Sequence, residues 1–287
     1  MSRLRLILLG LAVLFVAGLV VPFITKSRVN SDRIACENHL RELGLVAVRH
    51  ASPPGQGLPT APRDELPPGT FANPALPPDR RMSWYAYTLN VLIEGPPTAD
   101  PTIKHRRPAG LSELLPNFDP AGPWDSPRNA PLANYRLATA ICPAQVREYP
   151  PGTPVPTNYV AAGGLGLDTP AKPLDEAGPL AGAYRYDGPT PNSAIKDGLQ
   201  NTVQIVETNA DLGPWLRGGP STLRGLDPAA TPYLGPGRPF GGCHPGGAYV
   251  SFADGAVRFL KQTIDPGVFR AMLTIAGGPA EANFDGP

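Results

Sequence analysis

Hydrophobic positions along the chain fall into three patterns. One is an unbroken apolar run, one a helical stripe, and the third a set of short apolar segments set in Pro- and Gly-rich sequence. Residues 6–24, LILLGLAVLFVAGLVVPFI, carry no charge over nineteen positions. As a helix this run spans roughly 28 Å, close to the hydrocarbon thickness of a bilayer. It has no polar face that would suit the surface of a globule. The pattern predicts a single membrane anchor over residues 1–25, held by lipid around residues 6–24. Arg3 and Arg5 flank one end and Lys26 and Arg28 the other, so charge alone does not orient it. A secretory signal peptide is the rival reading, with its apolar region over 6–15 and Val16-Ala17-Gly18 as a poor cleavage sequence.

Beyond the anchor, Cys36, Leu40, Leu43 and Ala47 recur at a 4-3-4 spacing, while Arg33, Glu37, Arg41 and Glu42 lie largely off that stripe. This predicts an amphipathic stem helix over 26–51 whose apolar face packs on the domain behind it. Ser31-Asp32 is a candidate N-cap that would break the helix near Asn30; otherwise anchor and stem form one rod. His39 and His50 read as solvated or capping positions, not ligands.

Residues 52–82 are expected to be an extended loop, with nine prolines between 52 and 81. The remaining segment, 83–287, reads as an α+β body. A short helix is predicted over 83–94 and a helical turn over 111–115, with loops through 124–132. A strand follows over 202–206, after the Asp197-Gly198 turn signal. Two more strands, 249–252 and 256–260, flank Asp254-Gly255, a strong hairpin signal. A last short helix is predicted over 268–275. An N-terminal helix followed by mainly antiparallel strands defines the fold class as α+β.

Composition agrees with this picture. The 287 residues include 39 Pro and 32 Gly, which excludes a mostly helical globule. Basic and acidic residues nearly balance, 25 against 24, so no basic stripe for nucleic acid is expected. The Lys104-His105-Arg106-Arg107 cluster reads as a solvated face.

Candidate chemistry is sparse. No His-Glu-x-x-His, Gly-x-Ser-x-Gly or phosphate-binding glycine loop occurs. Residues 162–167, AGGLGL, lack a strand-then-helix context and read as a loop. His244 and Asp254 would stand at opposite ends of one short strand, some 30 Å apart if extended, too far to share a metal unless the Pro245-Gly246-Gly247 loop folds back. Asp254 is expected to bond its own backbone. Glu207 and Asp211 have the spacing of paired carboxylates, but Glu207 at a strand end is expected to bond backbone amides. Trp84, Trp124 and Trp215 could form a stacking surface for a glycan. Cys36, Cys142 and Cys243 allow one disulfide in any of three pairings. Cys243 and His244, adjacent on a strand, would point to opposite faces.

These segments, in order, resemble a large pseudopilin-like family of unknown function from planctomycete-type bacteria, which carries a prepilin-processing-associated H-x9-DG motif. His244, nine residues and then Asp254-Gly255 match that motif. Residues 36–45, CENHLRELGL, are similar to the family's C-x-N-N-L-K-Q-L-G-L segment. Further matches are Ser83-Trp84, Cys142-Pro143, Thr157-Asn158-Tyr159, Asp197-Gly198, Asn201-Thr202 and Glu207. The motif residues His244, Pro245, Gly246, Gly247, Asp254, Gly255, Asp197, Gly198, Asn201, Thr202 and Glu207 are expected to be structural. The resemblance implies a pilin-like body facing the periplasm or exterior of the inner membrane. It favours a Cys36–Cys142 disulfide, because both cysteines lie in family-like segments, and leaves Cys243 as a buried, inert thiol. It also implies a non-enzymatic subunit or accessory of a type II secretion or type IV pilus-like system. Other pseudopilin subunits or the secretion machinery would be its partners, and no catalytic residue, cofactor or metal is expected. The chain departs from the family at its start. A cut after Gly10 would put Phe15 at the fifth mature position, where the prepilin pattern has a Glu.

Overall fold

The computed structural model describes residues 3–49, 64–94, 110–145 and 148–277. His50, residues 52–63 of the Pro-rich segment, and the 104–107 cluster lie outside the described residues.

Helix α1 runs without a break from Arg3 to Arg49, through Pro22, Asn30 and Ser31-Asp32. The predicted anchor and stem segments therefore form one rod. Its two halves have different surroundings. Phe15, Val20, Val21, Phe23 and Ile24 are all exposed, whereas Cys36, Leu40, Leu43 and Ala47 are fully buried. Among the described residues no helix is long and apolar enough to cross a membrane. Most side chains of residues 6–19 are outside the described set.

The Pro-rich segment is more ordered than its composition predicts. It contributes the two-residue strand β1 (Glu65–Leu66), and buries Leu66, Thr70 and Phe71. Gly69 N donates to the Arg185 carbonyl and Phe71 N to that of Met82, so pairing with distant chain replaces local regularity. Helix α2 (Tyr85–Glu94) buries Tyr85, Ala86 and Leu89. Single turns α3 (Leu111–Leu114) and α4 (Ala130–Ala133) follow.

Strand β2 (Tyr159–Leu165) then enters the sheet, although the glycine-rich pattern of residues 162–167 predicts a loop. The strand is almost wholly buried. Its small residues, YVAAGGL, hide it from any alternation rule, yet they are what the position requires. A Cβ on Gly163 would lie 2.4 Å from Pro170 Cγ and 3.1 Å from the Arg224 carbonyl. Turn α5 (Leu174–Ala177) and the short β3 (Thr190–Pro191), paired with β1, lead to β4 (Val203–Glu207). Then come β5 (Leu223–Leu226), β6 (Gly247–Phe252), β7 (Val257–Lys261) and α6 (Pro266–Leu273). Helix α6 starts two residues before the predicted span because Asp265 Oδ1 caps it, accepting from Gly267 N at 2.7 Å and Val268 N at 3.1 Å, with Pro at the first position.

The main sheet has the order β5-β2-β4-β6-β7. All its pairings are antiparallel except β2 with β5. Tyr159 stands opposite Glu207, Val206 opposite Val250, and Tyr249 opposite Phe259. Each face carries its own core. Tyr159, Ala161 and Ile205 pack with the α1 stripe, Trp84, Tyr85 and Trp215. Val160, Ala162, Val206, Val250 and Phe252 pack with Phe240, Phe269 and Leu273 of the other side. Central β4 is buried at every position, polar ones included. Gln204 Nε2 accordingly reaches the carbonyls of Gly44 and Phe252 and Ser251 Oγ, tying α1 to the sheet.

Candidate functional site

Four chemically competent side chains meet where α1 crosses the sheet. Cys36 comes from the α1 stripe, and Cys142 follows a short 3-10 turn (Ala138–Ala140). Glu207 ends β4, and His244 lies in the loop before β6. Cys36 and Cys142 form a disulfide with Cα atoms 5.4 Å apart. His244 Nε2 lies 3.5 Å from Cys142 Sγ and 3.3 Å from Glu207 Oε1. One donor atom from each of the four residues lies within 4.8 Å of the others, and all four residues are buried.

The surrounding backbone holds this arrangement in place. Asn158 is the central clamp. Its Oδ1 accepts from Cys142 N at 3.0 Å, and its Nδ2 donates to the Thr208 carbonyl at 3.1 Å. Thr208 N in turn donates to the Asn158 carbonyl. The chain carrying Cys142 is thereby bound to the chain leaving Glu207. The His244 loop is fixed by Gly241 N donating to the Glu207 carbonyl at 2.6 Å and by the bridge between His244 and Gly247. Arg33 of α1 donates to the Pro245 carbonyl at 3.1 Å. The Tyr249 ring stands edge-on to His244, with centroids 5.6 Å apart.

Satisfaction of the buried polar atoms is incomplete. Glu207 Oε2 accepts from Tyr249 N at 3.2 Å, which is the backbone amide contact the sequence predicted in kind. Glu207 Oε1 accepts no hydrogen bond; although His244 Nε2 is within ion-pair distance, the geometry is not that of a hydrogen bond. The Tyr159 hydroxyl beside it is also without a partner. Burial, reinforced by the charge of Glu207, pushes that phenol well above its ordinary pKa.

His39, expected to be solvated or capping, is instead half-buried one turn along α1 from Cys36. Its Nδ1 lies 3.2 Å from the Ile141 carbonyl, and its ring is edge-on to Tyr159. Burial lowers its pKa, and the Ile141 contact opposes that shift.

The other predicted positions are dispersed. Asp254 is exposed at the β6–β7 hairpin tip, where Oδ1 accepts from Ala256 N at 2.8 Å. It takes no part in the His244 cluster. Asp197 Oδ2 accepts from Gly277 N, while Asn201 and Thr202 donate to the carbonyls of Asp197 and Gly198, closing one turn before β4. Asp211 lines a cleft elsewhere and is not paired with Glu207. Cys243 Sγ points to the Thr208 carbonyl at 3.3 Å, so the sulfur against His244 is that of Cys142 and not of its sequence neighbour. The stacking surface envisaged for Trp84, Trp124 and Trp215 does not form. Trp84 and Trp215 are fully buried, their indole N–H groups donating to the Thr222 and Tyr135 carbonyls. Sequence reasoning missed the convergence of His244 and Glu207 on the disulfide. The available signal was the set of polar residues at strand ends beside cysteines, but nothing local specified that four separate elements would meet.

The molecule is thus an α+β protein in which a long N-terminal helix lies across a mainly antiparallel sheet and is joined by a buried disulfide to the loop that precedes β2. Residues 28–267 match the family described as "Protein of unknown function (DUF1559)", and the chain belongs to that family. No curated protein and no solved structure matches it.

Proposed function

We propose that the chain is a non-enzymatic, single-pass, membrane-anchored envelope protein, a pseudopilin-like subunit or accessory of a type II secretion or type IV pilus-like system. The observation that carries this reading is the division of α1. Its first half leaves Phe15, Val20, Val21, Phe23 and Ile24 uncovered, and its second half is buried on the sheet. An uncharged run whose described large apolar side chains are exposed is suited to lipid or to the same helix of neighbouring subunits. The Cys36–Cys142 disulfide supports a body outside the cytoplasm, in an oxidising compartment. The test is the intact mass and N-terminal sequence of protein recovered from carbonate-washed membranes. Recovery there with a start near Leu11 supports a processed filament subunit. A start at Met1 or Ser2 supports a permanently anchored accessory. Recovery in the soluble fraction overturns the anchor.

A second reading, a tethered binding protein, draws on a cleft of about 670 Å³ lined by Tyr186, Asp211, Arg217, Arg224 and Arg238. The family's short name, SBP_bac_10, also hints at binding. With Trp84 and Trp215 buried, the cleft and not an aromatic platform would take the ligand. Arg224 already donates to the carbonyls of Ala210, Asp211 and Pro239. A melting temperature that rises with an anionic ligand in the parent chain, and not in Arg238→Ala, would favour this reading.

A further inference from the structure

We infer that Cys36, Cys142, His244 and Glu207 form a binding site for a thiophilic divalent cation of the zinc class when the disulfide is reduced. Geometry provides the first support. The four donor atoms already lie within 4.8 Å of one another. A tetrahedral zinc site with two sulfur, one nitrogen and one oxygen ligand has donors roughly 3.3–3.8 Å apart. The sulfurs need to separate from bonding distance, while His244 Nε2 already stands 3.5 Å from Cys142 Sγ and 3.3 Å from Glu207 Oε1, within that range. Two thiolates, an imidazole and a carboxylate suit zinc better than magnesium or calcium, which prefer oxygen donors.

An independent observation is the unspent valence of Glu207. This carboxylate is fully buried, yet Oε1 accepts no hydrogen bond and faces His244 Nε2 and the sulfurs. Such an oxygen in a dry interior is costly without a donor or a cation. The ligands also come from four separate segments, two of them clamped together through Asn158, so the cation would bind α1 to the end of β4 as well as to the Cys142 loop that the disulfide already ties to it.

The chemistry balances with a dithiol reductant. Two electrons and two protons from the dithiol cleave the Cys36–Cys142 bond to two thiols, and the reductant closes its own disulfide. The cation then displaces the two thiol protons to water and takes both thiolates, the neutral His244 Nε2 and the ionised Glu207. The oxidised chain offers no thiolate and does not bind. The cluster therefore carries two alternative cross-links, one covalent and one metallic.

The experiment uses the full chain in detergent, oxidised or reduced without denaturant, with zinc measured by elemental analysis and cobalt(II) as the spectroscopic probe. The reduced chain is expected to take up about one metal per molecule, with thiolate-to-cobalt charge transfer and tetrahedral d–d bands. The oxidised chain is expected to take up none. Glu207→Gln and His244→Gln, which leave both cysteines in place, should each weaken binding by at least about tenfold. Cys243→Ser should leave it unchanged. If reduction loosens the fold, zinc should return the lost melting temperature in the parent chain but not in Glu207→Gln. The inference is overturned if the reduced chain takes up no stoichiometric metal even when refolded with zinc present. It is also overturned by equal uptake in the oxidised chain, or by cobalt spectra and affinity indifferent to Glu207→Gln and His244→Gln. None of these outcomes depends on whether the chain is anchored in a membrane.

Discussion

Tyr85 and Tyr159 are both fully buried phenols of the same core, but only one has a partner for its hydroxyl. Tyr85 Oη lies 2.6 Å from Thr157 Oγ1 and donates to the Tyr159 carbonyl at 3.2 Å, whereas Tyr159 Oη has no partner. An unmade bond costs desolvation with no return. Tyr159→Phe should therefore be neutral or stabilising by up to about 1 kcal/mol, and Tyr85→Phe destabilising by about 1 kcal/mol. Urea unfolding of the two variants tests this, and equal losses would refute the assignment. His39 makes a prediction of the same scale in pH. Burial holds its pKa below the ordinary value of 6.5, so the unfolded chain binds the proton more readily than the folded one. Stability is then intact above pH 6.5 and declines as the pH falls from there through the folded value. A series of melting temperatures between about pH 5 and 8 should show this decline, reduced in His39→Gln. An identical slope in the variant would assign the decline to another group.

At the scale of elements, the decisive contact is the seat of α1 on the sheet. Gly44 faces β4 and β6 so closely that a Cβ there would meet Ser251 Oγ at 2.2 Å and Gln204 Nε2 at 2.9 Å. Gly44→Ala must push the helix outward or break the Gln204 bonds, and should cost about 1–3 kcal/mol. Gly18, on the same helix, has nothing within 4 Å, so Gly18→Ala should leave the unfolding midpoint of the body unchanged. Comparing the two midpoints tests whether α1 is seated as described. The stripe that makes this contact was legible, because Cys36, Leu40, Leu43 and Ala47 obey a helical period and are all buried. So was the β6–β7 hairpin, since Asp254 caps its own turn. Strand β2 was not legible, because its Gly163 is selected by the closeness of Pro170 and β5 and its Gly164 by the 180–182 backbone, and AGG carries no alternation. The cluster was legible only in pieces. Cysteine count and the H-x9-DG spacing singled out three of its residues, and Glu207 was read as a strand end. Their convergence depends on the register that sets Tyr159 opposite Glu207 and on the fold of the His244 loop, which are long-range properties.

For the whole molecule, these contacts divide α1 into a part that belongs to the body and a part that does not. The buried stripe begins at Cys36, ten residues beyond Lys26, and the disulfide closes a separation of 106 residues. On the chain-entropy model a loop of that size stabilises the fold by about 4–5 kcal/mol. Cys142→Ser should therefore lower the unfolding free energy by several kcal/mol, with the loss falling on the core that the α1 stripe shares with one face of the sheet. Removing residues 1–25 should do the opposite of what the length of helix lost would suggest. The exposed side chains at Phe15, Val20, Val21, Phe23 and Ile24 make no described contact with the sheet, so the shortened chain should keep the disulfide and melt within about 2 °C of the parent, the shift expected from well under 1 kcal/mol. If the run is held by lipid as proposed, its partition should change from detergent-requiring to freely soluble, because the exposed Phe15, Val20, Val21, Phe23 and Ile24 are removed with it. Sedimentation and thermal melting of the two chains read these quantities separately. A shortened chain that unfolds would show that the outer half of α1 supports the body, and one that still requires detergent would place the membrane-seeking surface elsewhere. Coincident melting with altered partition is the outcome that the two-part helix requires.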